Sequence, residues 1–229
     1  MALERKDSNQ RGPIVVLGAG GHAKVVVATL LAAGCEVSGV FADDWQERGD
    51  QLLGVPVRGA LRDALDAGAR GALIAIGDNA ARKRIAEELE LPWATVVHPW
   101  ACVERDVALG PGTVVFAGAV IQPASQIGAH VIVNTGARID HDARIGDFSH
   151  IAPGCTLAGN VELRSGVFMG AGSTVIPGVK VGAWSTVGAG AAVVAELPAG
   201  VIAVGVPART IGGEPVRRVS KRRAARERA

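Results

Sequence analysis

The stretch 138–157, RIDHDARIGDFSHIAPGCTL, places an apolar residue at every sixth position, at Ile139, Ile145, Ile151 and Leu157. Outward from there the spacing runs unbroken from Val103 to Val193, through Leu109, Val115, Ile121, Ile127, Val133, Leu163, Met169, Val175, Val181 and Val187. Four residues after each of these, up to Ala191, stands only Ala, Ser, Thr, Cys or Val, as at Ala119, Ser149, Cys155 and Ser173. A period of six fits neither a helix nor an alternating strand; it is the mark of a parallel β-helix. Three blocks make one triangular coil, and rungs stacked roughly 4.8 Å apart leave an interior that only small and branched side chains fill. The absence of Tyr and the 3% aromatic content suit that interior and argue against a base-stacking nucleic-acid surface. Periodicity does not set the handedness of the coil, since ordinary parallel crossovers are right-handed.

At 229 residues the chain suggests one large or two small domains, and the composition changes near residue 97. The expected division is a disordered start at 1–12, an α/β domain at 13–96, a coil at 97–195, and a C-terminal segment with a basic tail at 196–229. Hydrophobic content is 48%, yet no run approaches the roughly 18 apolar residues of a membrane span. The first dozen residues are polar and lack the apolar core of a signal peptide, so a cytoplasmic protein is expected. Cys35, Cys102 and Cys155 form no close pair, so neither a disulfide framework nor a zinc cluster is indicated, and Cys155 falls on a small inward position. The net charge of +2 comes from the tail: without residues 213–229 the balance is 17 basic to 20 acidic. Arg217-Arg218-Val219-Ser220-Lys221-Arg222-Arg223 could meet an anionic surface, but a solvated terminus is the simpler reading. Nucleic acid is not expected as a partner.

Ahead of the coil, Ile14-Val15-Val16-Leu17 is followed by Gly18-Ala19-Gly20-Gly21-His22-Ala23-Lys24 and a helical stretch, Val25 to Ala33. Strand, glycine turn and helix let backbone N–H groups approach a phosphate, with the helix dipole favouring its charge. His22, inside the turn, could cap the helix or touch a bound phosphate or sugar. A second strand, Val37 to Phe41, ends in Asp43-Asp44, and a third, Ala72 to Ile76, ends in Gly77-Asp78-Asn79 before a helix holding Arg82, Lys83 and Arg84. All three loops lie at carboxyl ends of strands, where open α/β sheets bind ligands. Gly18-x-Gly20-x-x-Ala23 with Asp43 about 20 residues on also matches a dinucleotide fingerprint. Only some 85 residues precede the coil, however, which is room for one mononucleotide-binding half.

The histidines separate by register. His141, between Asp140 and Asp142 and two residues past Ile139, should point outward; it is either a general base oriented by a carboxylate or an ordinary surface histidine. His150 precedes Ile151 on a different edge, and His130 and His98 read as structural. Stacking brings together residues about 18 apart, whereas His130, His141 and His150 are separated by 11 and 9. That spacing does not build a three-ligand zinc site, so no metal is expected.

Gly18-Ala19-Gly20-Gly21-His22, Ala75-Ile76-Gly77-Asp78-Asn79, Ile139-Asp140-His141-Asp142, Gly146-Asp147-Phe148-Ser149-His150 and Gly205-Val206-Pro207-Ala208-Arg209 together resemble a known group. It is the bacterial nucleotide-sugar acetyltransferases with a left-handed β-helix, related to sialic-acid O-acetyltransferase-like proteins and to the N-acetyltransferases of bacillosamine and perosamine synthesis. The resemblance implies a Rossmann-like βαβαβ domain followed by a left-handed coil. It implies that His141 is the general base and that Asp142 raises its basicity. It places His150, Ala171 and Ala189 on acetyl-CoA, and Gly20, Gly21, His22, Asp43, Asp44 and Gly77 on the nucleotide-sugar, with Asn134 near the reacting groups. A homotrimer with acetyl-CoA between neighbouring coils is implied as well. Asp142 stands where the bacillosamine enzymes carry Glu, which directs the substrate expectation to a GDP-linked perosamine. A UDP-linked 4-amino sugar, O-acetylation of a sialic-acid-type sugar, and a non-enzymatic trimeric scaffold with a nucleotide-sugar sensor are the alternatives.

Overall fold

The computed structural model describes residues 12–212, so the first eleven residues and the basic segment 213–229 lie outside the described residues, with the expectations that fall on them. The six-residue period becomes a three-sided coil of two-residue strands, each parallel to the strand 18 residues further on, as Val120↔Arg138 and Ile132↔His150 show. One face stacks Val96–Val97, Val114–Val115, Ile132–Val133, His150–Ile151, Phe168–Met169 and Thr186–Val187. The second runs from Cys102–Val103 to Ala192–Val193, and the third from Ala108–Leu109 to Lys180–Val181. The first face continues past residue 195, because Ile202–Val204 pairs in parallel with Thr186–Val187 and Arg209–Gly212 closes it antiparallel.

The apolar sixth positions fill the interior: Ile121, Val133, Ile151, Leu157, Met169 and Val187 are all fully buried. Burial of side chains of this size stabilises by roughly 1.5–3 kcal/mol each. The small inward positions carry hydroxyls and a thiol that need acceptors in a dry core, and at Thr113, Ser125, Ser149 and Cys155 the side chain reaches a carbonyl fifteen residues on. Thr113 Oγ1 donates to Gly128 O at 2.7 Å, Ser125 Oγ to Asp140 O at 3.0 Å, and Cys155 Sγ to Gly170 O at 2.9 Å. Cys155 is thus packing with a satisfied S–H, and burial raises its pKa. From Gly112 to Gly190 each corner turns through a left-handed residue. Between the first and second faces it is glycine at 118, 136, 154, 172 and 190; between the second and third it is Ala124, Asp142, Asn160 and Gly178. Between the third and first it is Gly112, His130, Phe148, Gly166 and Trp184.

The N-terminal domain holds β1 (Ile14–Leu17), α1 (Gly21–Ala32), β2 (Val37–Phe41), β3 (Gln51–Leu52), β4 (Val55–Gly59), β5 (Gly71–Ile74) and α2 (Asn79–Glu88). Strand order is β3-β4-β2-β1-β5, with β1, β2, β4 and β5 parallel and β3 antiparallel to β4. The connection from β2 to β5 holds the β3–β4 hairpin and two 3₁₀ turns, Trp45–Glu47 and Leu61–Asp66, where the βαβαβ pattern would have a helix. Glycine is required at Gly18 (φ 111), where a Cβ would press against Ile76 Cγ1 at 2.9 Å, so the end of β1 can lie beside the residues after β5.

The two domains share a core. Val114, Phe116 and Ile132, which point outward from the first face, join Val26, Val27 and Leu30 of α1 in one buried cluster. Covering that face also explains why α1, apolar nearly all round, forms a stable helix. No helix of the described residues is long and apolar enough to cross a membrane.

Candidate active site

His141 stands on the corner between the second and third faces, with its side chain 54% exposed. Asp142 occupies the left-handed position beside it (φ 58), and that turn brings its carboxylate back: Asp142 Oδ2 lies 2.7 Å from His141 Nδ1. The backbone N–H of His141 donates to Asp140 Oδ1 at 2.8 Å. The Asp142 hydrogen bond is the main reason the His141 pKa is raised above its usual value, and the Asp140 and Asp142 charges add to it. With Nδ1–H donated to the carboxylate, Nε2 carries the free lone pair, the arrangement of an oriented general base. The one-methylene difference from Glu therefore does not separate acid from imidazole here. Beside this corner lies a polar hollow of about 410 Å³ lined by Gln126, Asp142, Arg144, Asn160 and Glu162.

A different corner builds the second feature, a cleft of about 460 Å³ lined by Asn134, His150, Phe168, Ala171, Ala189 and Val204, with Ala152, Gly170 and Gly188 at its turns. Its volume and its small apolar lining suit an extended, flexible chain such as a pantetheine arm. His150 is held from two sides: its Nδ1 lies 3.2 Å from Gly77 O and its Nε2 3.0 Å from Asn134 Nδ2. A carbonyl only accepts, so Nδ1 carries the proton. Asn134 is fixed in turn by Thr135 N–H donating to its Oδ1 at 2.8 Å.

The glycine turn reaches the same place. His22 packs its ring edge-on to Phe116 at 5.5 Å and tilted to His150 at 6.0 Å. It does not cap α1, whose N-cap Gly20 has no side-chain hydrogen bond, because its ring is turned toward the coil instead. A Cβ on Gly20 or Gly21 would meet open space, so the backbone there is free to be approached. His22, Gly77, Asn134 and His150 are thus drawn together, while His141 and Asp142 lie on another corner of the same chain. Asp43 and Asp44 follow the end of β2, where Phe41 O accepts from Gly18 N–H of the glycine turn at 2.7 Å; Asp43 Oδ1 accepts from Leu61 N–H at 3.2 Å, and Asp44 pairs with Arg48, which lowers its pKa. Among the described residues no group of three or more His, Cys, Asp or Glu is placed to hold a metal ion.

The residue that sequence reasoning passed over is Arg82. In a run of Arg82, Lys83 and Arg84 it reads as one more solvated cation, yet it is 1% exposed. Its guanidinium donates to the carbonyls of Ile76 and of His130, Phe148 and Ser149 across the domain junction, and to Asn79 Oδ1. Asn79 Nδ2 donates to Gly166 O and Val167 O. These bonds fasten the loop after β5 to the coil and so fix the Gly77 carbonyl that His150 uses. The available signal was the 100° helical step, which turns Arg82 away from Lys83 and Arg84.

Comparison with known proteins gives consistent results. Residues 13–89 match the PglD N-terminal domain family. PerB from Caulobacter crescentus, solved with CoA and GDP-perosamine, is 42% identical with a TM-score of 0.82, over 88% of this chain and 98% of that one. A variant of the same perosamine N-acetyltransferase with a histidine replaced by asparagine, also holding CoA and GDP-perosamine, aligns with 41% identity and a TM-score of 0.83 over the same shares. The acetyltransferase domain of PglB from Neisseria gonorrhoeae FA1090, in complex with acetyl coenzyme A, is 34% identical with a TM-score of 0.81, over 87% of this chain and 98% of that one. An uncharacterized protein, L142 of Acanthamoeba polyphaga mimivirus, is 32% identical over 100 residues, 43% of this chain; the chain spans about a fifth of its length.

Proposed function

The chain belongs to the left-handed β-helix nucleotide-sugar N-acetyltransferases, and from that membership we propose that it moves acetyl from acetyl-CoA to the 4-amino group of GDP-perosamine. The observation that carries the chemistry is the His141–Asp142 pair, a solvent-facing imidazole whose Nδ1 is committed to a carboxylate at 2.7 Å. In the proposed step the sugar amine attacks the thioester carbon as His141 Nε2 takes its proton. The C–S bond breaks, and the departing thiolate of coenzyme A recovers that proton. Backbone N–H groups of the coil stabilise the oxyanion. Relatives captured with CoA and GDP-perosamine support this reading, including a form lacking a histidine.

The cleft at His150, Ala171 and Ala189 takes acetyl-CoA, and the loops at Gly20–His22, Asp43–Asp44 and Gly77 take the nucleotide-sugar, with Asn134 near the reacting groups. His141 and that cleft lie on different corners of one chain, so the complete site forms where the corner of one coil meets the cleft of its neighbour. We further propose, from the family membership, a homotrimer acting in the cytoplasm, in the synthesis of sugars for surface polysaccharides such as O-antigen; the separation of His141 from the cleft on one chain supports the trimer. The test is thiol release from acetyl-CoA with GDP-perosamine and with UDP-linked 4-amino sugars in parallel. Faster turnover with the GDP-linked sugar is expected. Faster turnover with a UDP-linked sugar would overturn the nucleotide assignment, and release with neither would overturn the activity.

A further inference from the structure

Gly159 lies one rung from His141 on the same corner. A Cβ placed on it would come within 2.6 Å of both Cε1 and Nε2 of His141 and 3.3 Å of Cδ2. The three nearest atoms all belong to that imidazole. At Gly110 and Gly146, by contrast, a Cβ would meet the backbone of the next rung at 2.5 Å. Gly159 is also buried although its corner faces solvent, because the ring lies over it. Nor does its backbone demand glycine. The left-handed residue of this turn is the next one, Asn160 (φ 60), whose N–H ties the rungs by donating to His141 O at 2.9 Å.

Two other rings in the coil lie over a glycine in this way, His130 over Gly112 and Trp184 over Gly166. Both belong to the corner that α2 covers: Asn79 of that helix bonds Gly166 O, and Lys83 sits 5.7 Å over the Trp184 ring. The His141 corner is open, and there the ring is gripped by Asp142 on one side and rests on Gly159 on the other. We propose that Gly159 is a positioning residue for acetyl transfer: its bare Cα gives the His141 imidazole a seat against the next rung. In that seat Nδ1 meets Asp142 and Nε2 faces the amine. This rests on the reading of His141 as the base. A methyl group at 159 has only the far end of an exposed, rotatable side chain in its way, so the ring swings aside and the coil stays intact. A displacement on the ångström scale at a reacting group costs on the order of 100-fold.

The experiment is a double-mutant cycle of Gly159→Ala and His141→Ala, read in kcat, in the pH profile and in melting temperature. In the otherwise native chain Gly159→Ala should lower kcat by roughly 10- to 100-fold, with KM for both substrates within about twofold. Its acid limb should move to lower pH as the ring leaves Asp142. In the His141→Ala background the same substitution should change kcat by less than about twofold, since the group it displaces is gone. Wild-type kcat in Gly159→Ala, or equal losses in both backgrounds, would overturn the inference. If Gly159→Ala alone failed to fold, the double variant should fold as His141→Ala does, and its failure to do so would also overturn it. Wild-type turnover in His141→Ala would instead sink the assignment of the base, a result distinct from all of these.

Discussion

Two corners of one coil each present a histidine, and they differ in what covers them. At the corner between the third and first faces, His130 is 5% exposed, stacked 5.1 Å from Phe148 and edge-on to Trp93 at 4.8 Å. Burial, and then the neighbouring Arg82 cation, lower its pKa to about 4. At the corner between the second and third faces, His141 has solvent on its outer side and carboxylates on both flanks, and its pKa is raised. The repeat builds both corners with a left-handed turn, His130 in the left-handed position and His141 just before it, and the chemistry of each imidazole follows from that place and from what covers it. One ring is made a neutral packing element and the other an accessible base.

Removing the exposed ring should have the largest effect. His141→Asn is expected to lower turnover by roughly 10²- to 10⁴-fold, the usual worth of a positioned base, while acetyl-CoA binding by calorimetry stays within about twofold. Uncovering the other corner comes next. Arg82→Met strips a buried cation from four carbonyls, and the loss of charge-assisted bonds worth roughly 1.5–3 kcal/mol each should appear as about 3 kcal/mol or more of stability in urea unfolding. It should also raise KM for acetyl-CoA, because Gly77 then no longer holds His150.

Weakening the flank of the exposed ring is a milder change. Asp142→Asn should cut kcat about tenfold. In the proposed role His141 acts deprotonated, so the acid limb of kcat/KM should lie above the ordinary histidine value in the native protein, and the substitution should draw it back down toward that value. Smallest is His130→Phe, which keeps a ring at a turn that Phe148 and Trp184 already adopt. Between pH 6.5 and about 4 the unfolded chain takes up a proton that folded His130 refuses, so native stability falls as pH drops through that window. In His130→Phe the melting temperature should lose that part of its acid dependence.

Much of this was legible in the sequence. The six-residue period predicts the coil, its inward residues and the outward place of His141, because a repeat forces one geometry on every block. The hydroxyls at Thr113 and Ser125 read only as small, and their bonds to carbonyls fifteen residues on follow from the three-dimensional stagger of the rungs. The β3–β4 hairpin is two short runs around Gly54, too brief for periodicity to mark. The His150–Gly77 contact spans 73 residues and depends on how α1 and α2 dock. Sequence placed His130 as structural without its reason, which is that α2 and Trp93 lie over it.

Titrating both imidazoles in one sample by ¹⁵N NMR tests the central claim most directly. The account predicts that His141 titrates above 6.5 and that His130 titrates far below it, at about 4. Two midpoints near 6.5, or the opposite order, would contradict it.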